Sequence, residues 1–210
     1  YMDDYNIKLE ENIFPNINNI KNPNILELGV ENGRSTKKFL ELCNINNGHL
    51  YSVDIEDCSK VASDKRWTFL KCRDDNFDYI KSKIPNKIDV IYIDTLHEAN
   101  HVKNLFYNYY DLLNINGYIF IDDISHLPYL NNKKSSFYCE INNRETFNEL
   151  LKIYYFNQNR FNLNFSFKSS GLAIIHKTSN EPLQTTKKFI SREFSPKNFL
   201  RKLWKNLKKN

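Results

Sequence analysis

The sequence predicts an α/β fold, a doubly wound Rossmann-like domain with a mostly parallel sheet that closes in an antiparallel hairpin. Three observations carry this reading. Short β-type runs ending in acidic residues or glycine alternate with helical patterns across residues 24–123, the rhythm of a parallel sheet with crossover helices. The first run meets a turn punctuated by Gly29 and Gly33, at the strand end where such sheets hold ligands. Two later runs, 161–168 and 172–177, flank Ser169, Ser170 and Gly171 and read as a hairpin, which a plain dinucleotide-binding domain lacks.

Taken in order, strands are expected at 24–29, 49–54, 67–72, 88–94 and 117–123. Helices are expected at 35–43, 77–84 and 98–113, the last with Val102, Leu105, Phe106, Tyr109, Leu112 and Leu113 on one face. A polar stretch, 125–144, holds Tyr129, Phe137 and Tyr138 and is a lid candidate; a helix near 145–156 follows. The division expected is a lead-in over 1–21, one domain over 22–180 and a tail over 181–210. The lead-in is Asn-rich, Pro15 is expected to interrupt any helix there, and the sheet edge is where the segment would pack. Met2, the lone methionine, reads as the start.

A chain of 210 residues with 40% hydrophobic and 14% aromatic content suits one globular domain with appendages. No run approaches the roughly 20 apolar residues of a membrane span, so a soluble, cytoplasmic body is expected. Four cysteines, at 43, 58, 72 and 139, make no C-x-x-C pair, which argues against a zinc site or disulfide framework. The net charge of +5 is unevenly placed: residues 186–210 carry nine Lys or Arg and one acid, Glu193. The tail is thus +8 and the remainder −3, so nucleic acid is not an expected partner of the body. From Pro196 onward an amphipathic helix is expected, capped by Ser195, with Phe199, Leu200, Leu203, Trp204 and Leu207 on one face. Such a tail suits peripheral contact with the inner membrane surface or an acidic partner, or packing on the body or on a second copy in a homo-oligomer.

The stretch Ile25 to Thr36 (ILELGVENGRST) is the most informative. Glycine at 29 and 33 lets backbone approach a ligand, and the helix N-terminus that follows offers free N–H groups. Glu31 stands where a dinucleotide fingerprint needs glycine, which opposes pyrophosphate by size and charge and so disfavours an NAD-dependent oxidoreductase. Glu27 is placed to face a bound cation. Asp54 ends the second strand, where a carboxylate accepts the ribose hydroxyls of an adenosine ligand. Asp74 and Asp75 follow the third strand, either reaching an adenine amino group or capping the next helix.

The order Glu27-x-Gly29-x-x-x-Gly33-x-Ser35-Thr36, Asp54, Asp74, Asp94-x-x-His97 and Asp122-Asp123 resembles class I S-adenosylmethionine-dependent methyltransferases, and most closely the branch of small bacterial and macrolide-sugar O-methyltransferases. The resemblance spans residues 22–177. It implies a seven-stranded sheet and S-adenosylmethionine as cofactor, with Glu27 facing the methionine amine, Gly29, Gly33 and Ser35 lining the cofactor, Asp54 on the ribose and Asp74 near the adenine. It further implies magnesium on Asp94, Asp122 and Asp123, His97 as the base, and Asp94 beside it in catalysis. The acceptor implied is a small sugar-like or other vicinal-hydroxyl molecule, methylated on oxygen. A non-catalytic module of the same fold is the other reading.

Overall fold

A computed structural model describes residues 4–126, 137–187 and 195–208. Its centre is a seven-stranded sheet of order β3-β2-β1-β4-β5-β7-β6. The strands are β1 Asn24–Leu28, β2 His49–Asp54, β3 Trp67–Lys71, β4 Ile88–Ile93, β5 Leu113–Asp122, β6 Phe161–Ser166 and β7 Leu172–Lys177. The first five are mutually parallel, and β7 inserts antiparallel between β5 and β6. That order reverses between β1 and β4, the switch point outside which ligands bind.

The helices are α1 Asp4–Lys8, α2 Phe14–Ile17, α3 Arg34–Asn46, α4 Phe77–Lys81, α5 Ala99–Tyr110, α6 Phe137–Asn157 and α7 Pro196–Leu207, with a π-helical segment, Leu9–Ile13, joining α1 to α2. Strand alternation divides the core. On one face Leu26, Leu28, Ile91 and Ile93 meet Val102, Leu105 and Phe106 of α5 and Leu150 and Ile153 of α6. On the other, Ile25, Val90, Tyr92 and Phe120 meet Phe39 and Leu40 of α3 and Leu9, Ile13 and Ile17 of the N-terminal segment. Each such side chain taken fully from water contributes about 1.5–3 kcal/mol.

Three sequence expectations need correction. Residues 4–17 are helical and belong to the core, because Pro15 lies in the first turn of α2, where its missing N–H costs nothing. The helix expected at 145–156 begins at Phe137, which absorbs the end of the lid candidate; residues 127–136 of that stretch, Tyr129 among them, lie outside the described residues, as do the side chains of Phe137 and Tyr138. The chain also stays on the body past residue 180: Gln184 bonds through its backbone to Asn157 and accepts from the Tyr107 hydroxyl at 2.9 Å. Beyond it, α7 has no buried residue, and Ser195 caps it by accepting from Asn198 N. No helix among the described residues is long and apolar enough to cross a membrane.

Candidate active site

The C-terminal ends of β1, β2, β3 and β4 converge on two adjoining cavities of ≈ 270 and ≈ 300 Å³ that share Gly29, Val30, Glu31 and Asp94. The first runs past Asp54, Arg73, Asp74, Thr95 and His101. The second is lined by Tyr5, Asn32, Arg34, Ser35 and His97.

Glycine is required where the strand gives way to the loop. Gly29 has φ +96°, and a Cβ there would stand 1.9 Å from the Asp94 carbonyl oxygen. Gly33, at φ +75°, would meet Val61 at 1.8 Å. Between them Glu31 holds φ 51°, a left-handed conformation that costs a non-glycine residue about 1–2 kcal/mol. The loop is held by Asp54, whose Oδ2 accepts from the backbone N–H of Val30 (2.8 Å) and Glu31 (3.1 Å) while Oδ1 accepts from that of Glu56 (2.9 Å). Burial raises the Asp54 carboxyl, but these backbone donors outweigh it and hold it below the usual carboxylate range. It remains an ionised acceptor facing the first cavity.

Farther along that cavity, Asp74 bonds His101 Nε2 at 2.8 Å. Burial raises the Asp74 carboxyl, and His101 with its neighbours lowers it further than burial raises it; the same bond raises His101. Sequence reasoning missed His101, although it lies on the first turn of the helix after Asp94. Asp74, Asp75 and His101 are also the described acid and imidazole group whose ligand atoms converge within 4.8 Å, and its members are already paired, Asp75 with Arg73 at 2.7 Å.

Glu27 is placed elsewhere than expected. It has no exposed surface and accepts from Ser35 Oγ (2.6 Å), Thr36 Oγ1 (2.9 Å) and Ser52 Oγ (2.6 Å). Burial pushes its carboxyl up to about 7 against those three donors. It ties the start of α3 and strand β2 to β1 beneath the loop, and it lines neither cavity. Ser35 borders the second cavity, with its hydroxyl turned to Glu27.

At the mouth, His97 Nε2 lies 3.3 Å from Asp123 Oδ2 and 3.6 Å from Asp94 Oδ1. Burial, with Asp122 and Asp123 nearby, holds the Asp94 carboxyl above the usual range, while His97 and Lys8 draw it down. Asp122 faces inward: Lys8 Nζ forms a buried ion pair with both its oxygens, and Tyr92 Oη donates to its Oδ2 at 2.8 Å. The Tyr92 hydroxyl is also 3.1 Å from Asp94 Oδ2 and 3.2 Å from the Tyr5 hydroxyl. The structure thus brings Asp94, His97 and Asp123 together and turns Asp122 to a lysine. As they stand, the three aspartates do not fit a magnesium ion, because no position is shared by free oxygens of all three. Lys8, Tyr5 and Tyr92 were not foreseen.

Residues 26–124 match a family model described as "Methyltransferase domain". That stretch, just under half of the chain, is similar to a methyltransferase domain. No curated protein sequence matches the chain significantly, whereas many solved structures share its fold. A Staphylococcus aureus protein provisionally assigned as a caffeoyl-CoA O-methyltransferase is 19% identical, with 84% of this chain and 85% of that one covered and a TM-score of 0.61. The MycE methyltransferase of the mycinamycin biosynthetic pathway, solved with Mg and S-adenosylhomocysteine, is 16% identical over 88% of this chain and 52% of its own, at a TM-score of 0.64. A Clostridium thermocellum protein provisionally assigned as an rRNA methylase is 13% identical over 86% and 99%, at 0.63. At such identities the likeness is one of fold, and the three names span different acceptors, so no acceptor carries over from them to this chain.

Proposed function

We propose that the chain is an S-adenosylmethionine-dependent O-methyltransferase acting on a small, sugar-like hydroxylated acceptor. The observation that carries this reading is the pair of adjoining cavities, with adenosine-type acceptors at one end and an imidazole held by two carboxylates at the other. Asp54 would accept the ribose hydroxyls, Asp74 steadied by His101 would stand near the adenine, and Gly29 and Gly33 leave room for the ligand against the backbone. Glu27 supports the loop from below. The donor supplies an activated methyl group, and the protein's part is alignment and removal of the acceptor proton. With Nε2–H turned to Asp123 and Asp94, the other ring nitrogen of His97, Nδ1, would take that proton, and the two carboxylates would orient the ring and stabilise the imidazolium. A hydroxyl-bearing acceptor is favoured by the polar lining of the second cavity, where the Tyr5 hydroxyl, Asn32, Arg34 and His97 gather.

Calorimetry with S-adenosylhomocysteine is expected to show binding that Asp54→Ala weakens at least tenfold, since a charged acceptor of two hydroxyls is worth on the order of 2 kcal/mol. In a screen of hydroxylated acceptors followed by product mass, His97→Ala should lower turnover on the order of 100-fold or more with cofactor affinity intact. Unchanged affinity in Asp54→Ala would remove the cofactor assignment, and absence of any turnover beside intact binding would favour a non-catalytic module. We further propose that the work is done in the cytoplasm and that α7 brings the enzyme to an anionic membrane surface, with an acidic protein partner as the alternative.

A further inference from the structure

Lys8 and Asp122 are 114 residues apart in sequence, and their side chains are 1% and 2% exposed. The lysine arrives from the end of α1, just before the π-helical segment, a feature that often marks functional positions. Its Nζ contacts both oxygens of Asp122 and donates to Ser170 Oγ at 3.0 Å. Asp122 Oδ1 also accepts from Ser170 Oγ (3.2 Å) and from the backbone N–H of Asp123 (2.7 Å), and Oδ2 from Tyr92 (2.8 Å). An ionised carboxylate has about four lone-pair positions, and these donors fill them. Magnesium demands a near-octahedral set of about six oxygens at about 2.1 Å. It would have to displace these donors and sit beside an ammonium that repels it, so the ion and Lys8 exclude one another at Asp122.

We propose that Lys8 is the built-in cation of this site, holding at Asp122 the place a divalent ion would take, so that the enzyme works without added metal. The lysine removes one charge from the cluster of Asp94, Asp122 and Asp123. That keeps Tyr92 between Asp122 and Asp94, and Tyr5, one turn before Lys8, lies 3.4 Å from Asp94 and lines the second cavity. Lys8 is a positioning residue, and through it the N-terminal segment becomes a wall of the acceptor site. The catalytic half of this statement rests on the methyl-transfer reading; the occupancy of Asp122 does not.

The test soaks crystals of the full chain in millimolar MnCl₂ and locates the ion by anomalous scattering. The wild type is expected to show no peak beside Asp122, and a peak there would overturn the proposal. Lys8→Met keeps the aliphatic stem without the charge; checked for folding by circular dichroism, it is expected to gain a manganese site on Asp122. A folded variant that gains none would overturn the claim that Lys8 holds the cation's place. Should the variant not fold, the wild-type map and turnover in excess chelator decide, with undiminished turnover expected and abolished turnover fatal. Calorimetry with S-adenosylhomocysteine on the same preparation separates the readings, since loss of cofactor binding removes methyl transfer and leaves the map at Asp122 as evidence on Lys8.

Discussion

Glu27 shows how a single carboxyl can couple the active-site loop to pH. Its ordinary value of 4.5 is pushed up to about 7 by burial, so between these values the folded chain keeps a proton that the unfolded chain has lost. Its contribution therefore declines as pH rises from about 4.5 to about 7 and is level above that. Glu27→Gln retains hydrogen-bonding capacity without ionising. Urea unfolding at about pH 5 and about pH 8 should show the variant gaining on the wild type by on the order of 2–3 kcal/mol as pH rises. Parallel behaviour of the two proteins would mean that Glu27 is not the coupled group. Gly29 makes the complementary prediction. With the Asp94 carbonyl 1.9 Å from the position of a Cβ, Gly29→Ala should cost at least about 2 kcal/mol in thermal unfolding, by backbone displacement and a left-handed penalty together.

Among the elements, the N-terminal segment and α7 both carry apolar side chains and have opposite fates. Leu9, Ile13 and Ile17 are wholly buried against α3 and the sheet, and Lys8 among them is tied to Asp122. In α7 the apolar side chains Phe199, Leu200, Leu203, Trp204 and Leu207 are 46–76% exposed, surrounded by Lys197, Arg201, Lys202, Lys205 and Lys208 with no acid. An anionic surface would cover the stripe and attract each basic residue by about 1 kcal/mol. The full chain should therefore sediment with anionic liposomes at low salt, and a chain ending at Thr186 should remain in the supernatant. Equal sedimentation of both would assign the binding to the body instead. Ser195→Ala removes the cap on Asn198 N, worth about 1 kcal/mol of helix stability, and should weaken vesicle binding without altering cofactor affinity.

For the whole molecule, the doubly wound class, the seven strands with their closing hairpin, the glycine loop, the acid at position 54 closing the second strand and the capped amphipathic α7 were legible in the sequence alone. Each of these is written in local pattern: residue periodicity, a turn signal, a capping pair, an acid at a strand end. The tertiary structure decided which polar groups meet. Glu27 lies only two residues before Gly29, yet β1 is covered there on both faces, so the hydroxyls of Ser35, Thr36 and Ser52 meet it where a ligand amine was expected. His101 reaches Asp74 because α5 folds back beside the third strand's exit, and His97 finds Asp123 because β4 and β5 are neighbours. The partner of Asp122 was the least legible, since an isolated lysine in an Asn-rich segment has no periodicity that marks it as buried. Only the packing of Leu9, Ile13 and Ile17 against the sheet carries Lys8 inward, and an ammonium taken from water must then find a carboxylate to offset its desolvation. Local pattern reports the elements because their hydrogen bonds are short-range; the charge balance of the site depends on contacts that form only when the sheet and its covering segments are assembled.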